Sequence, residues 1–111
     1  MAGTLKLISG PAYLANAVAD IYTPPASTIY TVIRHIHIAN VVGSQVTFTL
    51  YKGATGGSTG GTELFKSYVV AAGSSYDYYC NMKMLSTDFL TGLASATSSL
   101  TITVIGEQHV V

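Results

Sequence analysis

The sequence predicts an all-β fold, an antiparallel two-sheet sandwich of about eight strands, and three observations carry that expectation. Thr, Val, Ile, Tyr and Phe recur throughout, turn residues appear every ten or so positions, and no long stretch holds a 3.6-residue apolar period. The expected strands are Thr4 to Ile8, Ala17 to Tyr22, Thr28 to Ala39, Gln45 to Tyr51, Glu63 to Val70, Ser75 to Leu85, Phe89 to Ala96 and Ser99 to Glu107.

Three strands assign their own faces, because successive side chains along a strand point to opposite sides. Val46, Phe48 and Leu50 oppose Thr47, Thr49 and Tyr51; Leu100, Ile102 and Val104 oppose Thr101 and Thr103. Along the sixth strand Tyr76, Tyr78, Cys80, Met82 and Met84 oppose Asp77, Tyr79, Asn81 and Lys83. The first set of each pair reads as core, which makes Tyr76 and Tyr78 buried, Tyr51 and Tyr79 exposed, and Cys80 a buried small hydrophobe. Pro24-Pro25 lacks ladder donors and should end the second strand. Tyr13 to Asp20 is open to two readings, since Leu14, Ala17, Val18 and Ile21 also suit a short amphipathic helix.

At 111 residues the chain fits one domain, with no dividing linker and no internal repeat. An N-terminal arm over residues 1–16 and a flexible glycine-rich loop over residues 52–62 are its expected appendages. That loop carries Gly56, Gly57, Gly60 and Gly61 and no side chain large enough to pack.

Charge excludes several function classes. Lys, Arg, Asp and Glu together make 9% of the residues, against about 25% in ordinary soluble domains. Lys6, Arg34, Lys52, Lys66 and Lys83 stand singly and the formal net charge is zero, so no nucleic-acid partner is expected. No apolar run approaches the ~18 to 20 residues of a membrane span, and no membrane partner is expected. Ser9-Gly10-Pro11 interrupts the apolar start before it reaches signal-peptide length, and one cysteine allows no intrachain disulfide; synthesis inside a cell fits both. Thr, Ser and Tyr occupy outward positions where Lys and Glu would be usual, a composition suited to being covered.

Catalytic and cofactor chemistry finds little support. His35-Ile36-His37 would present two imidazoles on one strand face, the start of a metal site. In metal-dependent cupins such a pair is soon followed by a Glu, whereas here Ile38 to Gln45 holds no acidic residue and the remaining histidine is His109. No metal is therefore expected, and His35 and His37 read as outward residues able to sense pH during assembly. Cys80 lacks an adjacent base, the carboxylates lie on separate segments, and the glycine loop lacks a Gly-Lys-Ser/Thr ending, so neither an enzyme nor a cofactor is expected.

Three stretches carry a family resemblance: Tyr22-Thr23-Pro24-Pro25-Ala26-Ser27, Val32-Ile33-Arg34-His35-Ile36-His37-Ile38-Ala39-Asn40, and Val46-Thr47-Phe48-Thr49-Leu50. Ala72-Gly73-Ser74, the run from Leu85 to Ala94 and the closing Leu100 to Glu107 continue it, with Ser86-Thr87 standing where a Gly is expected before Asp88. The chain resembles small structural proteins of tailed bacteriophage virions. The resemblance implies a jelly-roll-like sandwich that decorates or cements a capsid, forms a homo-oligomer (dimer or trimer), binds the major capsid protein, and is located on the virion's capsid surface after synthesis in the host cytoplasm. A tail or fibre module making receptor or carbohydrate contact is the alternative. The interface residues expected from the sequence are His35, His37, Tyr51, Tyr79, Gly56, Gly57, Gly60 and Gly61.

Overall fold

The computed structural model describes residues 5–25, 28–54 and 60–110. They form eight strands: β1 Leu5–Tyr13, β2 Ala19–Tyr22, β3 Thr28–Asn40, β4 Val46–Gly53, β5 Glu63–Val70, β6 Ser75–Leu85, β7 Phe89–Ala94 and β8 Leu100–Val110. The first sheet has the order β1-β8-β3-β6 and the second β2-β7-β4-β5, with every neighbouring pair antiparallel. Consecutive strands mostly alternate between the sheets, which is the jelly-roll arrangement.

The inner faces meet in one core. Ile33, Ile36, Ile38, Met84, Leu100, Ile102 and Val104 come from the first sheet; Tyr22, Val46, Phe48, Leu50, Val70, Leu90 and Ala94 come from the second. Each fully buried aliphatic or aromatic side chain contributes about 1.5–3 kcal/mol by leaving water. The faces expected for β4 and β8 are those observed. Tyr76 and Tyr78 differ in degree. They face inward but are half-buried, because β5 and β6 are the open edges of their sheets and a cluster of rings closes the gap between them. Phe65 meets Tyr78 edge-on at 4.9 Å and Phe48 at 5.5 Å, and Tyr68 lies 4.5 Å from Tyr76. Cys80 is likewise inward and half-buried.

The backbone also defines two N-terminal segments. The stretch from Tyr13 to Asp20 holds no helix: Leu14 N–H donates to Leu100 O and Ala15 O accepts from Ala94 N–H, both at 2.8 Å, so the chain is tied to both sheets before it bends at Asn16 and Ala17. Leu14 is buried there while Ala17 is exposed. Of the segment considered as an arm, residues 5–13 are β1, paired along β8. The strand passes Ser9-Gly10-Pro11 through two register shifts, and Gly10, at φ 80°, lies where a Cβ would strike the Ile102 carbonyl.

Side chains tie the connections. Asn40 Nδ2 donates to the carbonyls of Ser44 at 2.8 Å and Val70 at 3.0 Å, and its Oδ1 accepts from Val42 N–H at 3.0 Å. Asp88 Oδ2 accepts from Leu85 N–H at 2.8 Å while its own N–H returns to Leu85 O, so Ser86-Thr87 turns without a glycine. At the β4–β5 hairpin Lys52 N–H donates to Thr62 O at 2.9 Å. Gly60 and Gly61 lie exposed at the foot of β5, Gly61 at φ 92°, whereas Gly56 and Gly57 fall outside the described residues.

Candidate functional site

A bulge in β3 organises the outer face of the first sheet. Ile33 and Ile36 are both buried although three residues apart, so Arg34 and His35 both point outward. The ladder to β8 sets Ile33 and His35 against the consecutive Gly106 and Ile105, which gives β3 one extra residue there, and the ladder to β6 shifts register at the same place. From there His35 stands opposite Tyr79 and His37 opposite Asp77.

Asp77 Oδ1 takes both imidazoles, with His37 Nδ1 at 2.6 Å and His35 Nε2 at 2.8 Å. The three donor atoms lie within 4.8 Å of one another. Hydrogen bonds from His37 and then His35 hold the Asp77 carboxyl below the usual aspartate range. The His35 ring stacks on Tyr79 with centroids 4.3 Å apart and planes 3° from parallel, which fixes its direction. The acidic residue missing from the sequence just after His37 is supplied by Asp77 of the paired strand. The alternation of β6 had already put Asp77 outward; only the β3–β6 pairing, across 40 residues of sequence, was lacking.

Beside this cluster Arg34 grips Glu107 through Nε at 2.7 Å and Nη2 at 2.6 Å, and also donates to Asn81 Oδ1. Arg34 foremost, with His109 adding less, holds the Glu107 carboxyl below the usual glutamate range. His109 stacks on Tyr30 at 4.4 Å, and Lys83 Nζ sits 4.6 Å from the centre of the Tyr30 ring. All three histidines of the chain therefore lie on this one face, in a molecule poor in charge.

The same face is bordered by apolar side chains. On edge strand β1, Leu5, Leu7 and Tyr13 are 64%, 54% and 58% exposed; on edge strand β6, Tyr79 and Leu85 are 74% and 53% exposed. Tyr51 behaves otherwise than expected. It is half-buried on the outer side of the second sheet, paired along the ladders with Glu63 and Thr91, and so lies on the opposite surface from Tyr79.

The remaining features offer little chemistry. Cys80 Sγ donates to Ile33 O at 3.3 Å, and burial pushes its thiol up, away from the reactive thiolate. A cleft of about 120 Å³ between β1 and β2, lined by Ser9, Tyr13, Leu14, Asp20 and Ile21 among others, contains Asp20 as its one carboxylate.

No family model and no curated protein matches this sequence. Solved structures do. A chain of the Bacillus endospore appendages, described as a novel family of disulfide-linked pili, superposes with a TM-score of 0.58 at 19% identity, over 100% of this chain and 91% of that one. A chain of infectious bursal disease virus, Gx strain, gives 0.52 at 10% identity, over 96% of this chain and 32% of the viral one, so this chain spans about a third of that length. PirA gives 0.50 at 18% identity, over 90% and 93%. At such identities the likeness establishes the β-sandwich fold, shared here with chains from a pilus and a virus.

Proposed function

We propose that this chain is a structural subunit that decorates or cements a bacteriophage capsid by packing against its own copies, as a dimer or trimer, and against the major capsid protein. The observation that carries this reading is the outer face of the first sheet. Leu5, Leu7, Tyr13, Tyr79 and Leu85 are more than half exposed there, on two strands whose outer edges have no partner among the described residues. Exposed apolar groups collected on one face mark contact surfaces, and unpaired edges accept a neighbour's strand. With 9% charged residues, covering such a face desolvates few ions. Modest contacts then add through the high effective concentration on a particle. The sandwich it shares with chains of a pilus and a virus is compatible with this role. No catalytic centre, cofactor, nucleic acid or membrane enters it.

Two other structural roles are distinguishable. A pilus held together by disulfides needs at least two cysteines per subunit to propagate, and this chain has Cys80 alone, half-buried. A tail or fibre module gripping a sugar through Tyr51 and Tyr79 is disfavoured because the two rings lie on opposite surfaces and Tyr51 is half-buried.

Light scattering across a concentration series tests the reading. The chain should associate, and the pair of substitutions Leu5→Lys and Leu7→Lys should shift it to monomer with an unchanged far-UV circular dichroism spectrum. A wild-type chain that stays monomeric at high concentration and does not sediment with capsid shells overturns the proposal. In purified particles hundreds of copies place it on the capsid, a handful on the tail. If the glycine loop is a contact arm, deleting residues 56–61 weakens shell binding without altering the fold.

A further inference from the structure

We propose that His35, His37 and Asp77 form a binding site for one divalent cation of the zinc, nickel or copper class, on the outer face of the first sheet with its remaining coordination positions open to solvent. Two imidazoles with one carboxylate form the donor set of open zinc sites, and nitrogen donors favour these borderline ions over calcium or magnesium.

The three donor atoms are already gathered at one place. His35 Nε2 and His37 Nδ1 already converge on one point, the Asp77 Oδ1 atom 2.8 and 2.6 Å away. Metal–ligand bonds of about 2.0–2.2 Å at tetrahedral angles set donors roughly 3.3–3.5 Å apart. To admit an ion the carboxylate oxygen has to retreat by about 0.5 to 0.9 Å from the two nitrogens, and the nitrogens, which lie within 4.8 Å of each other, have to close toward that same spacing. Asp77 can do so by side-chain rotation, since its side chain is 39% exposed and is held by the two histidines.

The surroundings favour the ion. Tyr79, stacked flat on His35, holds that ring in the converging orientation, the part outer-shell groups play around metal ligands. Arg34, the nearest cation in sequence, is occupied by Glu107 and Asn81, which leaves the Asp77 charge to the histidines. His35 and His37 side chains are 21% and 38% exposed, so an ion reaches the site directly from water. The bulge that turns His35 outward is what makes the site possible. Strict alternation from buried Ile33 would aim His35 into the core.

The experiment is calorimetric titration of the metal-stripped full-length chain with zinc chloride at neutral pH, paired with visible spectra of the cobalt-loaded protein. The expected result is one ion per chain and the intense absorption of four-coordinate cobalt. His35→Ala, His37→Ala and Asp77→Ala should each weaken binding by more than about 100-fold, beyond the 10- to 100-fold typical of outer-shell groups, and Tyr79→Ala should fall within that outer-shell range. His109→Ala, remote from the cluster, should bind as wild type does. Absence of zinc uptake by the wild-type chain, or equal affinity in the wild type and the three ligand variants, overturns the proposal. The readout does not depend on assembly, so it stands or falls apart from the capsid reading.

Discussion

Replacing Tyr22 by Phe removes a single hydroxyl from the seam between the two sheets, and its cost can be worked from the contacts. Tyr22 lies on β2 in the second sheet, and its phenol reaches across to Thr31 Oγ1 on β3 at 3.0 Å and accepts from Gln108 Nε2 on β8 at 2.6 Å. Tyr22 is 8% exposed and Thr31 fully buried, so water cannot replace the lost partner of Thr31. Gln108 is half-buried and can turn its amide to solvent. A lost hydrogen bond costs about 0.5–1.5 kcal/mol net and an orphaned buried hydroxyl about 1–3 kcal/mol, overlapping quantities that together give roughly 2 kcal/mol. For a domain of this size that is a fall in Tm of about 8 °C. Urea unfolding at constant m measures it. Adding Thr31→Val removes the orphan with nearly the same shape, so the double variant should be at least about 1 kcal/mol more stable than Tyr22→Phe alone. A loss below about 0.5 kcal/mol for Tyr22→Phe, or a double variant as unstable as the two single losses summed, would show that the phenol bridges nothing of consequence.

Other outcomes follow from the same contacts. Phe48→Ala empties a fully buried site shared by the ring cluster and should cost about 3–5 kcal/mol in chemical denaturation. Gly92→Ala should cost about 1–3 kcal/mol, because its Cβ would stand 2.7 Å from Thr49 O and 2.6 Å from Leu50 Cδ2 between packed strands; stability equal to wild type would refute that close approach. The Glu107 carboxyl, lowered mainly by Arg34, should titrate by carbon NMR below the ordinary glutamate value, and Arg34→Met should raise it. Since the folded value is the lower one, the stabilisation from this pair is complete above the unfolded value and disappears as pH falls through the folded value. Cys80, half-buried with a raised thiol pKa, should react with a thiol reagent far faster in urea than in the native state.

Much of the fold was legible because strand chemistry is local. Alternation at Val46 to Tyr51 and at Leu100 to Val104 assigned inner and outer faces that the sandwich keeps, and it placed Asp77 and Tyr79 outward on β6. The same rule overstated the burial of Tyr76, Tyr78 and Cys80. It reports which way a side chain points, whereas burial depends on whether another strand lies beyond it, and β6 is an edge. The helical alternative around Leu14 to Ile21 rested on spacing, and lost to two backbone bonds that reach Leu100 and Ala94, far along the chain.

The candidate site divides in the same way. Sequence alone determined that His35 and His37 lie close together on one strand, that charge is scarce, and that the outward residues are Tyr- and Thr-rich, since all of these follow from residue identity and short spacing. Only tertiary structure decided that β3 pairs with β6, that the bulge after Ile33 turns Arg34 and His35 outward together, and that Asp77 thereby meets both histidines. Register between strands separated by dozens of residues is set by how two whole sheets bury their apolar faces, and no short window of sequence contains that condition.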